Sequence, residues 1–108
     1  MNRERVTLRQ IVDSNLLEVP TELRTTYQDQ IFTARLLANG TIEFKGSIFT
    51  APSMALGAAR NLAEGRGISD PMKPTGGWPY WHYFDKDAQK WIPLEVLRKR
   101  FLQRGAKR

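Results

Sequence analysis

The sequence predicts an α+β domain: a small antiparallel β-meander packed with about three helices in a single two-layer unit. Three observations point there. Apolar residues recur at helical spacing behind helix-start signals in three places. Between them lie four short β-prone segments separated by turn dipeptides. A chain of 108 residues is long enough for one core and too short for two.

Thr7 and Gln10 have capping-box spacing, and Leu8, Ile11, Val12 and Leu16 follow at helical intervals, predicting a helix from about Leu8 to Asn15. Pro20 lies in the connector beyond it. Leu23 to Gln28 reads as a strand broken by Asp29-Gln30. Ile31 to Leu37 reads as a second strand, with Phe32, Ala34 and Leu36 on one face. Asn39-Gly40 is a hairpin signal, because both residues tolerate positive φ. Thr41 to Phe44 forms the third strand, Lys45-Gly46 turns, and Ser47 to Phe49 forms the fourth.

Thr50-Ala51-Pro52-Ser53 opens a middle helix, since proline is favoured in a first helical turn. Its expected apolar stripe is Met54, Ala55, Ala58, Ala59 and Leu62, ending near Glu64-Gly65. Residues from Gly65 to Gly77 show no periodicity and predict a long loop. Trp78 to Phe84 is almost wholly aromatic and reads as a strand, with Pro79 at an edge or strand start. Asp85-Lys86-Asp87 turns, Gln89 to Ile92 returns, and Pro93 starts a last helix. In that helix Leu94, Leu97 and Phe101 share one face, with Lys99 and Arg100 pointing away from it. The expected division is a helical lead-in over residues 1–22, a core over 23–98 and a basic end over 98–108.

The net charge of +6 is not spread over the chain. Arg98, Lys99, Arg100, Arg104, Lys107 and Arg108 account for the whole excess, and no acid lies among them; the rest balances at eleven basic against eleven acidic residues. Electrostatic attraction to nucleic acid therefore resides in this end. The chain has no cysteine, which excludes disulfides and thiolate metal sites and fits a reducing compartment. Arg3 and Arg5 precede a mixed amphipathic stretch rather than an apolar run, and no run of about 18 apolar residues occurs, so the expected location is cytoplasmic with no membrane contact.

Catalytic chemistry is not legible. His82 is the one histidine, too few for a zinc site without several converging carboxylates. No nucleophile elbow, phosphate-binding loop or dinucleotide fingerprint occurs. Asp85 and Asp87 read as turn formers. The expectation is a protein without enzymatic activity, metal or cofactor.

Three features offer recognition. The hydroxyls of Thr50 and Ser53, with the free N–H groups of a helix start, suit a phosphate as well as ordinary capping. Trp78, Tyr80, Trp81 and His82 lie in an aromatic strand whose side chains alternate, so one face is either exposed for stacking on bases or covered by another element. Arg66 and Lys73 in the adjoining loop would add phosphate contacts. Arg98, Lys99, Arg100 and Arg104 give a basic face that grips phosphate or is simply solvated.

From about Tyr27 to Arg98 the sequence resembles the RAMA domain, the restriction-enzyme and adenine-methylase associated domain. The resemblance rests on ordered motifs: Phe32-Thr33-Ala34-Arg35-Leu36-Leu37, Gly40-Thr41-Ile42-Glu43-Phe44, Gly46-Ser47-Ile48-Phe49, Thr50-Ala51-Pro52-Ser53-Met54-Ala55 and Gly77-Trp78-Pro79-Tyr80-Trp81. It implies a module that accompanies DNA methylases and nucleases and binds DNA, modified DNA included, and it points to Pro52, Ser53, Trp78 and Trp81. Three departures stand out: Gly76 where the family often has Asn, Tyr80 in place of Phe, and a longer loop before Gly77. Such modules usually sit within larger proteins, so a protein partner or a homodimer is expected here. The resulting expectation is a non-enzymatic accessory module that binds duplex DNA. The alternatives are a protein-interaction subunit that touches no nucleic acid and, behind it, an RNA-binding module.

Overall fold

The computed structural model describes residues 6–72 and 76–106, the last three by backbone alone. Lys73, Lys107, Arg108 and the side chain of Arg104 lie outside the described residues.

Thr7 caps helix α1 (Leu8–Asp13) through the expected box: its hydroxyl accepts from Gln10 N, while its own N–H donates to Gln10 Oε1 at 2.8 Å. Four strands follow, β1 (Thr21–Tyr27), β2 (Gln30–Leu36), β3 (Ile42–Phe44) and β4 (Ser47–Phe49). Helix α2 (Pro52–Ala63), strands β5 (His82–Asp85) and β6 (Lys90–Pro93), and helix α3 (Leu94–Ala106) complete the chain.

All six strands form one antiparallel sheet in the order β4-β3-β2-β1-β5-β6. The late hairpin β5–β6 thus docks beside β1, the first strand, and puts β1 inside the sheet. Alternation sends Leu23, Phe32, Ala34, Leu36, Ile42 and Phe44 to one face, where they meet the buried residues of all three helices in a single core. The opposite face carries Glu22, Arg24, Thr26, Thr33, Arg35, His82 and Phe84 and has no helix over it among the described residues.

Local chemistry sets the turns. The β1–β2 turn falls one residue earlier than expected, on Gln28 and Asp29, both at positive φ (52° and 62°), with Gln30 paired to Tyr27. Lys45 and Gly46 make the same kind of two-residue turn. Asn39-Gly40 does not. The loop closes around residues 38–40 through Leu37 N donating to Thr41 O at 2.8 Å, and Asn39 Oδ1 accepts from Thr41 N and Oγ1. Gly40 lies against α1, where a Cβ would stand 2.6 Å from Arg9 Cα; a side chain would push α1 off the sheet.

Two other expectations need correction. Met54 is not part of the α2 stripe: it is 46% exposed, and Leu56, Gly57 and Asn61 take the buried positions with Ala55, Ala58 and Ala59. Residues 78–80 form a turn rather than a strand, because Tyr80 N and Trp81 N both bond back to Gly77 O (3.1 and 3.2 Å), and Pro79 has no N–H to give. The strand begins only at His82.

Candidate nucleic-acid interface

The region of interest is built where the 78–80 turn leaves the sheet. β1 pairs with β5 only through Leu23–Tyr83 and Arg24–His82 among the described residues, and then runs on to Tyr27. Because the chain before His82 turns away, a cleft of about 290 Å³ opens between β1 and the turn. Arg24, Thr25, Thr26, Tyr80 and His82 line it.

Its chemistry is cationic and aromatic. Tyr80 is 46% exposed. The Arg60 guanidinium, from α2, stands 5.2 Å from the Tyr80 ring centroid and 5.0 Å from that of Tyr27. Across the cleft, Arg24 lies 4.2 Å over Trp91, which packs edge-on against Phe84. Ring faces attract guanidinium cations and fix their planes. The Nε atoms of Arg24 and Arg60 are buried and have no hydrogen-bond partner in the protein. A buried donor in that state costs about 1–3 kcal/mol. His82 Nδ1 lies 2.9 Å from Tyr80 O; a carbonyl can only accept, so Nδ1 carries the proton and Nε2 is the ring's free nitrogen. Behind Arg60, Tyr27 donates to Glu64 Oε2 at 3.0 Å, and this bond to a carboxylate raises the phenol above its ordinary pKa.

The expected site residues divide. Tyr80 and His82 line the cleft. Trp81 does not: it is 0% exposed, its Nε1 donates to Pro52 O at 3.1 Å, and its ring packs on Phe44, so it cannot stack on a ligand. Trp78 is half-buried beneath the Arg98 guanidinium, 5.2 Å from its ring. Arg98 is itself ion-paired to Glu95 at 2.7 Å. Arg66 is committed to its loop, donating to Pro71 O at 2.9 Å beside Glu64 and Asp70. Lys99 and Arg100 are exposed on α3. Thr50 is exposed and Ser53 half-buried at the α2 start, whose N-cap is Ala51 and has no side-chain cap, so neither hydroxyl fills the expected capping role. The backbone of Gly77 presses on that first turn: a Cβ there would stand 2.3 Å from Pro52 C and 2.4 Å from Ser53 N. Arg24, Arg60, Tyr27 and Thr26 were not legible as site residues, since the β1–β5 pairing that gathers them joins segments nearly sixty residues apart.

The RAMA family model, described as Restriction Enzyme Adenine Methylase Associated, matches residues 1–107. The chain belongs to this family. No curated protein matches it. The match extends well beyond the stretch from Tyr27 to Arg98 and takes in α1, which packs behind Gly40, and the whole of β1, an interior strand of the sheet. The family ties the chain to restriction and adenine-methylation systems. In this RAMA domain the residues Pro52, Ser53, Trp78 and Trp81 form one packed knot. Trp81 bonds to Pro52, Gly77 seats on Pro52 and Ser53, and Glu95 N donates to Trp78 O at 2.9 Å, tying α2, the turn and α3 together. They hold the cleft in shape from behind.

Proposed function

We propose that this RAMA domain is a non-enzymatic accessory module that binds duplex DNA in the cytoplasm, in a restriction or methylation setting, and that it distinguishes modified from plain DNA. The observation that supports this most is the cleft itself, where the exposed Tyr80, His82 and Arg24 meet beside β1 and the Arg60 guanidinium of α2 rests on the Tyr80 ring. Phosphate oxygens accept charge-assisted bonds from guanidinium groups. Lys99 and Arg100 on α3 add long-range attraction.

The absence of catalysis is part of the same reading. The Asp85 carboxylate, which closes the same strand as His82, is occupied on both oxygens: Oδ1 accepts from Asp87 N and Ala88 N, and Oδ2 from the Tyr83 hydroxyl. No three His, Asp or Glu side chains among the described residues gather as a metal site would need, and no described helix is long and apolar enough to cross a membrane.

Fluorescence anisotropy with labelled duplexes, plain and adenine-methylated, at two salt concentrations tests the reading. Tight binding that prefers one duplex is the expected result. Equal binding that salt abolishes would reduce the role to phosphate gripping, and no binding to either would overturn it.

A further inference from the structure

We infer that the β1–turn cleft receives a single unstacked nucleotide, with its base on the Tyr80 ring and its phosphate against Arg24. This rests on the DNA-binding reading and names the part of DNA that enters. The cleft's volume, about 290 Å³, lies at the lower limit of small-molecule sites, about 300–1,000 Å³. That is room for one nucleotide and not for a strand or helix.

Three features match the parts of a nucleotide. The Tyr80 ring is exposed on its free side and backed by the Arg60 cation, so it offers a flat stacking surface held in place from behind. Beyond Arg24, β1 has lost its β5 neighbour while it remains paired to β2, so backbone groups along residues 25–27 face the cleft side without a strand partner. One strand offers N–H donors and C=O acceptors side by side, the pattern needed to read the edge of a base. At the outer rim, Arg24 is fixed over Trp91 and makes only a loose ion pair with Glu22, 3.9 Å away and with both side chains partly exposed, so an anion in the cleft competes for its guanidinium. A wider depression of about 840 Å³, lined partly by Glu22, Glu43, Arg35 and Lys45, mixes both signs of charge and has no aromatic wall.

A base that must leave its duplex costs unpairing energy, and a mismatch removes part of that cost beforehand. The test compares the full chain on a paired duplex and on the same duplex with one mismatched adenine, by anisotropy, and follows the backbone amides of residues 25–27 by NMR while adenosine 5′-monophosphate is added. The mismatched duplex should bind about tenfold more tightly. Tyr80→Ala, and separately Thr26→Trp to fill the cleft from an exposed strand position, should erase that preference, so that each variant binds the two duplexes alike. Equal binding of the two duplexes, or a preference that survives both substitutions, overturns the cleft assignment while the DNA reading stands. If neither duplex binds but the nucleotide shifts those amides in the wild type and not in Tyr80→Ala, the cleft assignment holds for a free nucleotide and the DNA reading fails. If neither duplexes nor nucleotide bind, both fail.

Discussion

Tyr80 and Trp81 are neighbours in one short turn, yet they serve opposite sides of the molecule. Trp81 goes inward, bonds to Pro52 and meets Phe44. Tyr80 stays at the surface beside Arg60 and β1. The same division separates the arginines. Arg98 pairs with Glu95 at 2.7 Å and Arg66 donates to Pro71 O at 2.9 Å, whereas Arg60 rests on two rings and Arg24 rests on Trp91 with only a loose 3.9 Å pair to Glu22. Aromatic content and positive charge therefore do not mark an interface by themselves; what marks it is which of those groups the fold leaves without a partner.

The contrast is broken most directly from the inner side. Trp81→Ala removes the largest fully buried side chain and its hydrogen bond to Pro52 O, and should cost about 3–5 kcal/mol in urea unfolding, enough to threaten folding of a domain this size. Gly77→Ala places a Cβ against backbone atoms of Pro52 and Ser53 that cannot swing aside, so a loss of about 1–3 kcal/mol in thermal or urea melts is expected. A Gly77→Ala domain as stable as the wild type would show that the knot is loose.

From the outer side the expected pattern reverses. Tyr80→Ala should leave the unfolding midpoint nearly unchanged and weaken binding to a mismatched duplex by about 1–3 kcal/mol in a titration. Lys99→Gln should weaken binding to every duplex alike and lower the salt slope of log affinity by about 0.9 if it neutralises one phosphate. Point changes are preferable to deleting residues 98–108, because α3 runs to Ala106 and its Phe101 is packed on the core.

The smallest effect concerns acid. The N–H of Ala88, with that of Asp87 and the Tyr83 hydroxyl, holds the Asp85 carboxyl below its ordinary pKa. Folding thus favours the ionised form, and the stabilisation is complete above the unfolded carboxylate's pKa and lost as pH falls through the lowered folded value. Asp85→Asn should flatten that acid-side decline in melts at successive pH values. On the alkaline side, burial and the nearby Asp85 charge raise the Tyr83 phenol.

Much of the architecture was legible because it depends on neighbours in sequence. The Thr7/Gln10 box, the Lys45-Gly46 turn, proline at the α2 start and the face formed by Leu94 and Leu97 all follow from local chemistry and period. Errors arose where a distant element intervened. Asn39-Gly40 formed a three-residue loop with α1 against it, and residues 78–80 left the strand because Gly77 O collects the N–H bonds of Tyr80 and Trp81 beside α2. Among the expected site residues, Tyr80 and His82 meet in the cleft, whereas Trp81 is core and Arg66 and Arg98 are held by their own neighbours.

The sequence by itself determined the α+β class, the helix starts, the Lys45-Gly46 turn and the concentration of charge at the end of the chain, because period, capping and φ preferences act over a few residues. Only the tertiary structure decided that β5 would lie beside β1, that Arg24 and Arg60 would flank Tyr80, and that Trp81 would be sealed inside. Those outcomes come from burying the Trp81 and Tyr83 side of the late hairpin on a core that the first fifty residues leave open at the β1 edge, a long-range requirement that no local pattern records.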